Sequence, residues 1–540
     1  MSILLVSTLQ TKLDRLQTKI KQKGLSFRLL FRKAGVRLNP KNPWSHYHLA
    51  KCLLELKRWQ DAEVVYRKTL ELNPEIALAH HELGDILQKR KQWSQAVHCY
   101  QQAIQHDNQF SWSFHNLGDA LKELEQWHEA ADAYHQAAER NPDFFATHSH
   151  LADVLMRLQD WLGAVAAYRQ ALRLNPQHFE SLYNLAAALE QLGDRPAVAE
   201  TYLKLIPLKP DFPWYYYSFF WKTLQAEERL TEAEAAYKQA LSLDSNNIEI
   251  YINLGDTLIH QKRIPDSLPY YENALDIKLS RHYPSLLESR RNNPDFKAKA
   301  NRLDFIILGA QKAGTSSLYA YMAQHPDIVP ALRKEVEFWS WKFYRGLDWY
   351  FAHFPQIPEG SHLQTGEACP GYLDFYETAE RLREALPHIK LIVLLRNPVD
   401  RAISHYHHWV RRNQEPLPLE EAIEAKIKEI EDKERVWRIH SNYMARGVYV
   451  EFLKHWFSVF PREQFLILKS EDFYDNPGQS LEKVYEFIGL PNYQLSSYKK
   501  YNSGQYSPAE VSIRKKIAEF YQPYNQELSQ LLNADYTWEL

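Results

Sequence analysis

Between residues 42 and 278, apolar and polar positions alternate at helical spacing, and the alternation itself recurs. Turn-forming pairs punctuate it: Asn73-Pro74, Asp107-Asn108, Asn141-Pro142, Asn175-Pro176, Lys209-Pro210 and Asp244-Ser245, at steps of 34, 34, 34, 34 and 35 residues. Tyr66, Tyr100, Tyr134, Tyr168, Tyr202, Tyr237 and Tyr271 keep one register, as do Trp59, Trp93, Trp127 and Trp161, and Ala62, Ala96, Ala130 and Ala164. A column of small residues runs beside them: Ala50, Gly84, Gly118, Ala152, Ala186 and Gly255. This predicts paired helices joined by turns. The small residue lets the pair approach, and the large ring fills the space against the next pair. The tyrosines and tryptophans are therefore core. Only Trp214 to Trp221 breaks the pattern, being apolar on every side. It is expected to pack against the second half, to line a groove, or to form a thick interior helix.

The 34-residue unit resembles the tetratricopeptide repeat. The resemblance implies an all-α solenoid of about seven repeats over residues 42–278, whose groove takes a protein or peptide partner.

Beyond residue 278 the period ends. Pro284, Asn292, Asn293 and Pro294 predict a linker over 279–302. Phe305 to Leu308 then reads as a buried strand, followed by Gly309-Ala310-Gln311-Lys312-Ala313-Gly314-Thr315-Ser316-Ser317 and the opening of a helix. Strand, glycine-bounded loop and helix form a phosphate cradle, in which backbone N–H groups and a lysine supply positive potential. The loop is not that of an ATP-binding kinase, because Thr315 stands where the lysine belongs and Lys312 comes early. A second buried strand, Lys390 to Leu395, ends in Arg396-Asn397-Pro398 rather than in an acid that could hold magnesium. Two anion-binding elements without that acid suggest a nucleotide with phosphates on both ends of its ribose.

Gln311 to Leu318 resembles the 5′-phosphosulfate loop of sulfotransferases, and Arg396-Asn397-Pro398 to Arg401-Ala402-Ile403-Ser404-His405-Tyr406 resembles their 3′-phosphate motif. Residues 303–540 look like the heparan-sulfate-type and related bacterial members of that family. The resemblance implies a P-loop-like α/β domain with a parallel sheet. It also implies transfer of a sulfuryl group from 3′-phosphoadenosine 5′-phosphosulfate (PAPS) to a hydroxyl or amine of a saccharide or protein, with no metal. By resemblance, Gln311, Lys312, Ala313, Gly314, Thr315 and Ser316 hold the 5′ end of the donor, and Arg396 and Ser404 hold the 3′-phosphate. Lys312 stabilises charge on the bridging oxygen, and Glu335, in Lys334-Glu335-Val336-Glu337-Phe338-Trp339, is the general base. Three positions depart from the family pattern: Glu337 stands for a histidine, Ser340 for an aspartate and Ala368 for a lysine. Lys499, Lys500 and Gly504 fall where relatives place an adenine- or phosphate-contacting loop. The repeats are expected to recruit the acceptor or a partner. Alternatives are a catalytically silent scaffold and an ATP-dependent kinase.

Composition narrows the classes further. Sixty-five Lys+Arg against 67 Asp+Glu argues against a nucleic-acid coat. Cys52, Cys99 and Cys369 are too few and too scattered for a disulfide framework, and no apolar run is long enough to span a bilayer. A cytoplasmic location is expected. Residues 1–41 carry ten Lys/Arg and one acid, Asp14, and predict a basic helical segment. It is read chiefly as a solvated cap, with contact to an anionic membrane surface as the secondary reading. His405, His407 and His408 lack ligand-spaced partners and are not read as a metal site, and Glu420 to Arg438 reads as a solvated helix.

Overall fold

The computed structural model describes residues 27–214, 217–292, 297–299, 303–412, 414–431, 442–499 and 509–538. Of the basic N-terminal segment, residues 27–38 are helical, and the rest lies outside the described residues. The expected order, helical repeats followed by a domain with a parallel sheet, is the one observed. The chain divides into two compact units, Met1–Pro210 with Tyr217–Ala236, and Asp211–Tyr216 with Tyr237–Leu540.

The first unit contains the helix pairs Pro43–Glu55 and Trp59–Leu72, Ala77–Lys89 and Trp93–His106, Ser111–Glu123 and Trp127–Arg140, Phe145–Arg157 and Trp161–Leu174, and Phe179–Leu192 and Arg195–Leu208. Turns within the first four pairs place Lys57, Lys91, Glu125 and Gln159 in the left-handed region, with φ between 58° and 60°. Between pairs, the Asn/Asp column has a local reason. The Asn73 and Asp107 side chains accept the backbone N–H two residues on, at 2.9 and 3.0 Å, which fixes the turn.

The glycine column is required by the tyrosines. A Cβ on Gly84 would lie 2.6 Å from the Tyr100 ring, and one on Gly118 2.7 Å from that of Tyr134. Each ring thus fills the gap within its own pair, a correction to the expectation that it fills the space against the next. The tyrosine hydroxyls donate to a column of aspartates that periodicity did not single out: Tyr100 to Asp85 at 2.8 Å, Tyr134 to Asp119 at 2.5 Å and Tyr168 to Asp153 at 2.6 Å. Each aspartate also accepts from the following repeat, from Asn116 (2.8 Å) and Asn184 (3.1 Å) at Asp85 and Asp153, while His150 Nδ1 lies 2.9 Å from Asp119.

The aromatic run is broken rather than continuous. Trp214 is buried and belongs to the second unit, where Asn253 Nδ2 donates to the Phe212 carbonyl at 2.8 Å, whereas the helix Ser218–Ala226 belongs to the first. Tyr215 and Tyr216 lie outside the described residues.

The second unit opens with a further helix pair, Ile248–His260 and Ile264–His282, in which Gly255 again meets a ring, that of Tyr271. The segment 279–302, expected as a linker, carries the end of that pair and a helix Pro284–Asn292 with Leu286 and Leu287 buried. Pro284 marks a helix start there: at the first helical position its missing N–H costs nothing. Among the described residues four parallel strands follow, β1 (Phe305–Gly309), β2 (Gly366–Ala368), β3 (Lys390–Leu395) and β4 (Phe465–Lys469), in the order β2-β1-β3-β4. All residues of β1, and all but the first of β3, are buried, as their unbroken apolar sequence requires. The connections leave β1 and β3 side by side, and a crevice at their carboxyl ends is where such sheets take ligands. No helix among the described residues is long and apolar enough to cross a membrane.

Candidate active site

The register of β1 on β3 shifts between Ile307 and Gly309, and the chain leaves the sheet with Ala310 N donating to Leu394 O at 2.7 Å. Lys312 (φ 71°) and Gly314 (φ 103°) both lie in the left-handed region, and the helix Thr315–Met322 starts directly after Gly314. Gly314 is needed twice, for its φ and because a Cβ there would sit 2.6 Å from the Tyr474 hydroxyl oxygen. Ser470 fixes the loop from below by donating to the Ala313 carbonyl. Thr315 is buried and Ser316 half-buried at the N-terminus of the helix, whose first N–H groups have no partner within it. A tight loop, a helix N-terminus, a lysine and hydroxyls suit a phosphate-like anion.

Arg396, at the end of β3, joins the same site: its Nη1 donates to the Lys312 carbonyl at 3.1 Å, and Tyr449 Oη holds the Arg396 carbonyl at 2.9 Å. The helix Pro398–Val410 is capped by Asn397 and carries buried Ser404, Arg401 and His405. Burial disfavours the charged form of Lys312, and Arg411, Arg396 and Arg412 push its pKa down further, against an opposing pull from Glu335. Burial together with Lys312, Arg412 and Arg411 lowers the His408 imidazole to about 4. The loop therefore lies in a concentrated positive field. Arg446, whose Nε is 2.9 Å from Asp374, donates to the Gln311 side chain. Sequence reading missed Arg411, Arg412 and Arg446. The first had a signal, since Arg411 follows Ser404 by seven residues, a spacing that returns to the same helix face.

The segment carrying Glu335 faces this field. Glu335 (φ 64°) and Glu337 (φ 59°) are non-glycine residues in left-handed conformation, each costing about 1–2 kcal/mol and held by its surroundings. Glu335 N donates to Ala368 O at 3.2 Å. The carboxylate pairs with Lys334 at 2.5 Å yet stays 40% exposed, and Glu337 pairs with Lys342 at 3.0 Å. Ser340 is buried and donates to the Glu337 carbonyl at 3.3 Å. Beneath lies Glu367, which sequence reading left without a role. It is fully buried, accepts from Tyr350 (2.6 Å) and Tyr372 (3.1 Å), and burial raises its carboxyl to about 7. Tyr372 in turn accepts the Phe338 N–H at 3.0 Å, so this network supports the segment from its buried side. Ala368 is buried and offers only its carbonyl.

His405 is buried 3.3 Å from Arg401, whereas His408 lies in the field of Lys312 described above. Lys499 is exposed and receives the Tyr321 hydroxyl on its carbonyl at 2.9 Å; Lys500 and Gly504 lie outside the described residues.

Comparison with known proteins finds relatives for both kinds of element. Residues 302–520 match the family model described as a sulfotransferase domain. Tetratricopeptide or TPR repeat models match residues 44–75, 77–110, 115–161, 152–193 and 224–262. The chain is 26% identical over 313 residues to a membrane-associated sulfotransferase of Dictyostelium discoideum, covering 44% of this chain and 66% of that protein. It is 28% identical over 257 residues to human heparan sulfate glucosamine 3-O-sulfotransferase 6, covering 43% of this chain and 72% of that one. A solved sulfotransferase from Alicyclobacillus acidocaldarius is 31% identical, with 43% of this chain and 97% of that one covered and a TM-score of 0.38.

Proposed function

From a chain that carries tetratricopeptide repeats and a C-terminal sulfotransferase domain, we propose that the second unit transfers a sulfuryl group from PAPS to a hydroxyl or amine of a saccharide or protein. The observation that carries the reading is the setting of Lys312, which sits on a left-handed loop at a helix N-terminus, in the field of Arg396, Arg411 and Arg412 and of Glu335. Gln311, Ala313, Gly314, Thr315 and Ser316 would hold the 5′ end of the donor, and Arg396 and Ser404 the 3′-phosphate. Glu335 takes the proton from the acceptor as its oxygen or nitrogen bonds to sulfur. The bond from sulfur to the bridging oxygen breaks, and Lys312 stabilises the negative charge left on that oxygen. No magnesium is required by this scheme.

Ala368 and Glu337 make the acceptor side less basic than the pattern of the animal enzymes, which favours an acceptor less anionic than heparan sulfate. The repeats recruit that acceptor or a protein partner through their groove. A cytoplasmic location belongs to the same proposal.

The test is thermal stability with 3′,5′-adenosine diphosphate, the desulfated product, against ATP with magnesium, followed by transfer from radiolabelled PAPS to saccharide and peptide acceptors. A ligand at one hundred times its Kd stabilises by about 2.7 kcal/mol. A shift with the bisphosphate only, lost in Lys312→Ala and Arg396→Ala, is expected. No shift from a folded domain would leave a silent scaffold, and a shift with ATP and magnesium alone would revive the kinase.

A further inference from the structure

The last helix pair of the array is bonded to the segment that presents Glu335. Tyr283 Oη donates to Ile328 O at 2.8 Å, and Lys278 Nζ to Ala331 O at 2.5 Å. Arg333 Nη1 lies 3.0 Å from Asp256 Oδ2, and Arg345 Nη1 reaches the same carboxylate at 3.9 Å. The three anchors approach Glu335 in order along the chain, the last only two residues before it. Asp256, Arg333 and Arg345 are all less than 9% exposed, and the guanidiniums lie near the Trp349 ring, at 5.9 and 4.6 Å from its centroid. Asp256 also accepts the Tyr271 hydroxyl at 2.5 Å. It is the aspartate of the repeat column, and the outside donor that elsewhere comes from the next repeat here comes from the acceptor-side segment. Burial disfavours its charge, but Arg333 and Arg345 outweigh burial and hold its pKa below the usual carboxylate range.

Building on the sulfuryl-transfer reading, we propose that Asp256 is a positioning residue for that reaction, acting through Arg333 to hold the backbone of residues 333–337 in the conformation that aims Glu335 at the acceptor. Glu335 and Glu337 are both in left-handed conformation, so the segment needs external restraint, and Glu335 N–H has one modest bond, to Ala368 O at 3.2 Å. The buried ion pair supplies restraint because its partners cannot exchange it for water, and removing one leaves the other charge buried without its counter-ion. The seventh repeat is on this view part of the catalytic apparatus, whereas the repeats before it are scaffold.

The experiment uses the full chain as Asp256→Asn, Asp256→Glu, Tyr271→Phe and Arg333→Lys, with amide hydrogen exchange and the 3′,5′-adenosine diphosphate thermal shift read together. In Asp256→Asn, exchange across residues 328–340 should rise at least tenfold, while residues 309–317 and the nucleotide shift stay as in the unmodified chain. Asp256→Glu and Arg333→Lys should restore part of the protection. Tyr271→Phe, which loses the bond inside the repeat and keeps the ion pair, should leave residues 328–340 protected. On the acceptor found in the panel, kcat should fall at least tenfold with the donor KM unchanged. In a Glu335→Gln background, Asp256→Asn should cost nothing more. Unchanged exchange at 328–340 in Asp256→Asn overturns the proposal. So does a loss spread over the whole unit together with the nucleotide shift, which would mark a folding role alone. If the unmodified chain shows no nucleotide shift, the donor reading fails, and the exchange contrast still decides whether Asp256 orders the segment.

Discussion

Asp153 and Asp256 occupy the same step of their repeats. Each directly follows the small residue of its helix, and each accepts a hydroxyl from the tyrosine 15 residues on. They differ in what arrives from outside. Asp153 takes an amide from Asn184, 31 residues ahead in the next repeat, so the bond ties like to like. Asp256 takes the guanidinium of Arg333, 77 residues ahead, on a segment with no repeat character at all. A repeat position thus encodes a capacity to accept, and the neighbour decides its use. Where the neighbour is another repeat, the aspartate propagates the array. Where it is Arg333, the same repeat position pairs instead with a segment outside the array.

The comparison is most sharply tested by separating chemistry from scaffold. Lys312→Ala should lower sulfuryl transfer by about 10²–10³-fold, the usual loss for a group that stabilises transition-state charge. Asp153→Asn should leave turnover and nucleotide binding in place. Initial rates with radiolabelled PAPS check both, and equal losses would erase the distinction. Next in size is Gly118→Val. The ring of Tyr134 already stands 2.7 Å from where its Cβ would be, and overpacking of this kind costs about 1–3 kcal/mol. Urea unfolding should register that loss while the bisphosphate still shifts the melting temperature.

Tyr134→Phe should cost about 1 kcal/mol, the net worth of one hydrogen bond, because Asp119 keeps His150 as a partner. A loss several times larger would mean that the column acts as one cooperative network. The smallest expected effect is on pH. Lys312 has a pKa below the ordinary lysine value in the free protein, and a bound anion favours its protonated form. Affinity for the bisphosphate should therefore fall as pH rises, beginning below the ordinary lysine range of about 10.4. Titration calorimetry from about pH 7 upward checks this, and Lys312→Arg, which does not deprotonate, should flatten the trend.

Much of this was legible in the sequence because it is periodic or continuous. The Gly84/Tyr100 pair repeats, and β1 and β3 are unbroken apolar runs that end in the loop and in Arg396. β2 was not legible, since three residues, Gly366–Ala368, carry no pattern. Pro284 was misread because the same residue that breaks a helix interior also opens a helix. The aspartate column is visible in the sequence, beside the small residues, but its partners are not. Nothing in the spacing of Asp256 and Arg333 states that they meet. Arg446 and Glu367 share that obscurity: one reaches Gln311 across 135 residues, and the other acquires its character only from being sealed beneath the segment.

The Asp256 carboxylate also limits how these parts can be recombined. A chain begun at residue 303, just ahead of the first strand, would keep Arg333 and Arg345 and delete the Asp256 carboxylate that both approach. On the positioning role proposed above, that chain loses the restraint on residues 333–337 even where the sheet still forms. Under the proposed role of Asp256, a transferable unit begins ahead of Ile248, and grafting onto it or shortening the array has to be done upstream of that helix.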